Sequence, residues 1–237
     1  MKCFRVASPV LVLALGLAGC AGALHWAPPT HTVEKGDTLY SIAFEYGLDY
    51  RELAEWNDIG GSYLIYPGQE LALRPDQASE PDRVSPRDAG EPEPEAEVAE
   101  PAAGEAPQVP QRQEDLEWQW PLEGELLARF GESELDKGVQ IDGSDGDPVR
   151  AAADGEVVYT GSGLIGYGKL IIIKHDNVYL SAYGHNSEIR VEEGDSVSGG
   201  DRIASVGRGR GDRPMLHFEI RMEGDAVNPL DYLPAPD

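Results

Sequence analysis

Cysteine is close to absent from this chain: its 237 residues hold two, Cys3 and Cys20, both within the first twenty positions. A disulfide framework across folded domains is therefore excluded. Basic residues are also scarce, 19 Lys and Arg against 43 Asp and Glu, which leaves a formal net charge of -24. Such a balance disfavours nucleic acid and anionic lipid as partners and favours staying in solution. Long apolar runs are missing too. The one apolar stretch, Val6 to Leu17, is too short to span a bilayer as a helix. The length allows one or two folded domains.

What is present begins with an export leader. Lys2 and Arg5 give a positive start, and the run that follows is apolar apart from Ser8 and Pro9. It ends at Leu17-Ala18-Gly19-Cys20, which resembles a bacterial lipobox. The resemblance implies a signal peptide over 1–19, a lipid on Cys20 and a lipidated tether over 20–30. The alternative is an ordinary signal peptide with an incidental cysteine. Several acyl chains on one residue anchor durably, whereas one chain binds marginally. In lipoproteins with such a box, a residue other than Asp after the cysteine, here Ala21, implies a periplasmic position on the inner leaflet of the outer membrane.

Residues 31–74 read as a small β-α-α-β unit. Thr32-Val33 predicts a strand and Lys35-Gly36 a turn, and Asp37 is placed to cap a helix through Tyr46. In that helix Leu39, Ile42, Ala43 and Tyr46 share a buried face, and Gly47 supplies the stop. Asp49, with Glu52 three residues on, predicts a second capped helix carrying Leu53 and Trp56. After the Pro67-Gly68 turn, Leu71 and Leu73 alternate on a closing strand. The segments His31 to Leu39 and Leu64 to Gln69 resemble a LysM module. The resemblance implies binding to N-acetylglucosamine-containing glycan such as peptidoglycan, with Gly36, Asp37, Thr38 and Leu39 on one groove wall and Leu64, Ile65 and Tyr66 on the other. Turn formation and capping are competing roles for these residues, and for Asp37 and Thr38 the two are hard to separate.

Composition changes abruptly over 75–117, centred on Glu91-Pro92-Glu93-Pro94-Glu95. With almost no large apolar residue, such a segment cannot bury enough surface to offset its chain entropy, so it predicts a disordered linker. Prolines and like charges keep it extended, with a reach on the order of 100 Å.

Residues 118–237 read as mainly antiparallel β. Strand candidates are Val149 to Ala151, Glu156 to Tyr159, Lys169 to Lys174, Val178 to Ala182, Arg202 to Ser205 and Leu216 to Arg221, separated by turn signals such as Asp154-Gly155 and Asp176-Asn177. Within this region Asp136-Lys137-Gly138-Val139-Gln140 and Met215-Leu216-His217 resemble the two core motifs of the LytM/M23 zinc endopeptidases, His-x-Gly-x-Asp and His-x-His. Gly166-Tyr167-Gly168, Tyr183-Gly184-His185 and Val227-Asn228-Pro229 support the resemblance. It implies that His217 stands at a zinc-ligand position and His185 at a catalytic one. Asp136 and Gln140 occupy the other two ligand positions, and Met215 the second catalytic position. A catalytic zinc wants three charged or imidazole ligands, and Gln140 offers a neutral amide. Met215 cannot carry a proton. The expectation is a domain with no metal, no cofactor and no catalysis. A lone strand histidine is more often a packed residue than a ligand, and that is the reading of His217 in its present state. His175 matches no metal position, and Asp142 shares a face with Gln140 by alternation.

The combination of lipobox, LysM module, linker and degenerate LytM/M23 domain resembles the murein hydrolase activator lipoproteins of Gram-negative bacteria. The resemblance implies a non-catalytic protein that binds peptidoglycan and activates a periplasmic zinc N-acetylmuramoyl-L-alanine amidase during septal splitting. The former substrate groove then becomes a docking site lined by Lys137, Gln140, Tyr167, His217 and Arg221, with Lys137, Tyr167 and Arg221 at its rim. Two other classes compete: a residual zinc endopeptidase and a purely structural cell-wall tether.

Overall fold

Strand and helix signals fall into two groups in the computed structural model, which describes residues 28–75, 116–132 and 137–235. The leader, Cys20, nearly all of the linker and Asp136 lie outside the described residues.

The first group is β1 (Thr30–Thr32), α1 (Leu39–Tyr46), α2 (Tyr50–Trp56) and β2 (Glu70–Ala72), with β1 and β2 antiparallel. The α1 cap differs from the expected one. Thr38 caps it in a reciprocal box: the Thr38 hydroxyl accepts from the Ser41 N–H, and the Ser41 hydroxyl accepts from the Thr38 N–H. Asp37 closes the preceding turn instead, accepting from the Glu34 N–H and from His31 Nε2. Both residues suit a cap, and only Thr38 has a hydroxyl partner three positions on. Gly47 ends the helix in the left-handed conformation, with Leu48 N–H returning to the Ala43 carbonyl. At α2 the Asp49 carboxylate accepts from the Arg51 N–H and guanidinium, and the Glu52 backbone N–H also contributes to holding its charge. Leu39 is a second correction. It was placed on the glycan wall, but its side chain is 1% exposed within the core formed by Ile42, Ala43, Leu53 and Leu71. The helix period turns it inward together with Ile42 and Ala43.

The second group forms a sheet that is ten-stranded among the described residues. Its order is β3 (Leu126–Ala128), β4 (Val139–Asp142), β11 (Pro214–Met222), β10 (Arg202–Arg208), β8 (Tyr179–Ile189), β7 (Lys169–Lys174), β6 (Gly155–Gly161) and β9 (Ser196–Val197). In addition β5 (Pro148–Arg150) pairs with β10, and β12 (Asp225–Val227) with β11, which also pairs with β8. The pairings are antiparallel, as expected from the turn-separated strands. Gly138 allows β4 to lie this close to β11, because a Cβ there would run into the Phe218 carbonyl. One sheet face buries Val139, Ile141, Val157, Ile171, Ile173, Tyr183, Phe218 and Ile220. The other face, over β6 to β8, is apolar as well: Tyr159, Leu170, Ile172, Leu180 and Ala182 pack with Phe44 of α1. Burial on both faces explains why β7 reads as the unbroken run Leu170-Ile171-Ile172-Ile173.

Asn57, at the end of α2, ties the first module together. Its amide donates to the Leu53 and Ala72 carbonyls, and its oxygen accepts from the Ala72 N–H. Asn57→Ala strips both Ala72 backbone groups of this partner and is expected to lower the module's stability by roughly 2 kcal/mol. The readout is the denaturant midpoint of the full chain, followed through signals from residues 31–74.

Candidate functional site

Alternation along three paired strands gathers the former metal-motif positions on one face. In register, Gln140 of β4 lies opposite His217 of β11, and Asp142 opposite Met215. On the other side of β11, His217 faces Gly184, Glu219 faces Ala182 and Arg221 faces Leu180 of β8. His217, Glu219 and Arg221 therefore point to the face occupied by Leu180 and Ala182, while Phe218 and Ile220 point into the core.

At the centre sits Glu219, a fully buried carboxylate with both oxygens engaged. His217 Nε2 is 2.8 Å from Oε1, and the Tyr167 hydroxyl donates to the same oxygen at 2.8 Å. Arg221 grips Oε2 through Nη2 at 2.9 Å and Nε at 3.1 Å. Burial pushes the Glu219 pKa up, but Arg221, His217 and Tyr167 outweigh that and hold it below the ordinary carboxylate value. Glu219 is thus ionised and accepts, so His217 Nε2 carries the proton and donates. Burial, followed by the Glu219 charge, pushes the Tyr167 hydroxyl well up, which keeps it a donor.

The neighbouring groups complete the site. Tyr167 reaches it because the loop before β7 is pinned by the His185 N–H, which donates to the Tyr167 carbonyl at 2.7 Å. The Tyr167 and His217 rings meet edge-on at 5.6 Å, and the His185 and His217 rings are 6.1 Å apart. His185 lies in a bulge of β8, where the pairing with β7 slips, and has φ 63. Bulges of this kind re-aim a side chain at the edge of a site. Met215 is buried, and the close approach of Gly209 brings it beside His185. Lys137 is half-buried and near Arg221 and Glu219; burial and Arg221 together lower its pKa. Asp142 faces the same side but is paired with Arg213 at 3.0 Å.

These residues do not fit a catalytic zinc. Its donors are to be charged or imidazole groups, and here the neutral amide of Gln140 stands opposite His217, with Met215 on the same face. Among the described residues no group of three or more His, Cys, Asp or Glu is arranged to hold a metal ion.

Sequence and structure differ on two members of the site. Arg221, expected at the rim, is 1% exposed and forms the floor, and Tyr167 is half-buried beside it. What covers them is Phe44: its ring centroid is 3.7 Å from Arg221 Cζ and 5.4 Å from the Tyr167 ring. Glu219 was not singled out from sequence, although the spacing His217-x-Glu219-x-Arg221 on a strand places all three on one face. A surface cleft of about 1450 Å³ near Trp120, Leu126 and Arg150 contains none of these residues.

Residues 134–229 match peptidase family M23, and residues 31–74 match the LysM domain. The chain is 41% identical over 228 residues to a "Lipoprotein NlpD/LppB homolog" of Pseudomonas aeruginosa, covering 86% of this chain and 76% of that protein. It is 37% identical over 260 residues to "Murein hydrolase activator NlpD" of Escherichia coli, covering 86% and 68%. Similarity to "Uncharacterized lipoprotein YgeR" of the same species is 37% over 236 residues, covering 95% and 92%.

Two outcomes follow from the site. Glu219→Leu leaves Arg221 buried without its counter-ion and is expected to destabilise the domain by about 3–5 kcal/mol, with the double change Glu219→Leu/Arg221→Met recovering most of the loss in chemical denaturation. The second concerns His175, which is buried between the Asp154 carbonyl and Ser181 Oγ. Burial pushes its pKa from 6.5 down to about 4. The folded protein keeps it neutral while the unfolded chain takes up a proton. Its contribution is therefore full above 6.5 and is lost as pH falls from there towards 4, by roughly 3 kcal/mol. Glu219 adds to the loss at the acid end. Urea midpoints between pH 7 and 4.5 check this, and His175→Gln is expected to flatten the upper part of the profile.

Proposed function

The chain belongs to the NlpD family of LysM–M23 lipoproteins, and from that premise we propose that it is a non-catalytic activator of a periplasmic zinc amidase that cleaves peptidoglycan at the septum. The observation that carries this reading is the register that sets the neutral amide of Gln140 opposite His217 and puts Met215, which carries no proton, on the same face. Where a metallopeptidase needs charged or imidazole ligands and a general acid or base, these two positions supply neither.

The remaining groove offers recognition. Lys137, Gln140, Tyr167, His217 and Arg221 form the docking surface for the amidase, which owns the zinc and performs the cleavage. Arg and Tyr are the residue types that dominate such contacts. Activation is then a population shift: the groove binds the open amidase better than the closed one.

The first module holds the wall. Leu64 at 59% exposure and Tyr66 at 63% are large apolar side chains left in solvent, which is what a sugar-binding surface requires. Asp37 and Thr38 support that wall through the turn and the cap they make. A lipid on Cys20 fixes the chain to the inner leaflet of the outer membrane, and the linker spans the distance to the septal wall.

Mixing the full chain with a purified periplasmic zinc amidase and dye-labelled peptidoglycan is expected to release dye only when both proteins are present. The chain alone is expected to release nothing and to contain no stoichiometric zinc. Failure to stimulate any resident amidase sinks the activator reading, and zinc together with cleavage of crosslinked peptide revives the endopeptidase. Tyr66→Ala is expected to weaken co-sedimentation with peptidoglycan about tenfold, as for an exposed aromatic anchor.

A further inference from the structure

Phe44 does not belong to the core of its own module. The LysM core takes Leu39, Ile42 and Ala43 from α1. Phe44, 1% exposed, points the other way, into the apolar face of Tyr159, Leu164, Leu170, Ile172, Leu180 and Ala182. Its ring stacks on the Arg221 guanidinium and meets Tyr167 edge-on. Its main-chain carbonyl accepts from Arg221 Nη1 at 3.0 Å. That carbonyl lies in the last turn of α1, where helix carbonyls lack intrahelical donors and the dipole favours a cation. A single arginine thus reads both the aromatic side chain and the helix end, while holding Glu219 with its remaining N–H groups.

The rest of the contact runs from Arg221 along the turn after β11 and the end of β7. The Gly224 turn approaches the Leu48–Asp49 backbone so closely that no Cβ fits there. Arg51 pairs with Glu223 at 3.6 Å, and Lys174 Nζ lies 5.6 Å from the Tyr50 ring centroid.

Several features mark this contact as one that opens. The Arg51–Glu223 pair is exposed, so it holds weakly. Tyr50 OH and Asp176 Oδ2 are buried with no protein hydrogen-bond partner. Both regain water when the modules part, which favours the open form. A long Pro- and Glu-rich segment joins the modules, so parting them costs no fold. Leu64 and Tyr66 stay exposed in the docked state, so the module keeps its sugar-facing side while its helix side covers the groove.

We infer that the LysM module is the resting occupant of the groove, with Phe44 of α1 filling the place on Arg221 and Tyr167 that the partner takes, so that the partner docks only after the module swings away. The inference rests on the amidase-activator reading for the identity of the competitor, but the docking itself is a property of this chain. A groove that is open for only a fraction of the time binds its partner weaker by that fraction.

The test uses the full chain with Cys3→Ser and Cys20→Ser, carrying Arg51→Cys and Glu223→Cys, treated with a reducible bifunctional thiol reagent. In the parent the two thiols are expected to be bridged, and with Phe44→Glu or Phe44→Ala added the bridge is expected to be lost. Because Phe44 lies outside the LysM core, both variants are expected to co-sediment with peptidoglycan as the parent does, which shows that the module still folds. The bridged chain is expected to stimulate a periplasmic zinc amidase poorly and to recover on reduction. Unbridged Phe44→Glu is expected to stimulate about tenfold more than the parent at sub-saturating concentration if the parent groove is open about a tenth of the time. Bridging that ignores the Phe44 changes, or a bridged chain as active as the reduced one, overturns the inference. Bridging that depends on Phe44, without stimulation of any amidase by any variant, upholds the docking and sinks the amidase reading instead.

Discussion

The carboxylate of Glu219 and the guanidinium of Arg221 are both withdrawn from water, and a buried ion pair of that kind survives only if every remaining donor and acceptor is used. That requirement organises the site. It brings the Tyr167 hydroxyl over from the loop before β7 and turns His217 Nε2 towards Glu219. It also leaves one edge of Arg221 in search of acceptors, which the Phe44 and Gly224 carbonyls supply.

The sheet makes the arrangement possible by having two apolar faces. Its inner face is an ordinary core. Its outer face carries the groove at β4 and β11 and an apolar field at β6 to β8, and α1 of the LysM module spans both. A helix with two apolar sides, Leu39, Ile42 and Ala43 on one and Phe44 on the other, serves as the bracket between the LysM module and the sheet.

Much of this was legible in the residues, and the reasons differ from place to place. The LysM unit and the β domain announce themselves through turns and alternation. The α1 cap was ambiguous because Asp37 and Thr38 are both good cap residues, and only the reciprocal Ser41 bond favours Thr38. Leu39 was misplaced because a turn-adjacent position looks exposed until the helix phase is fixed. Glu219 went unnoticed although its spacing from His217 and Arg221 was in plain view, because acidic residues are common in this chain. The unbroken apolar run of β7 signalled that something covers the second face, without naming what.

Sequence by itself determined the local chemistry: which residues turn or cap the chain, and which strands alternate. Those properties are set within a few residues by backbone geometry and side-chain type. Only the tertiary structure decided that Arg221 is buried and that Phe44 covers it. Residues 44 and 221 are separated by the whole linker, and a contact between them depends on how two folded surfaces complement each other, which no local pattern encodes.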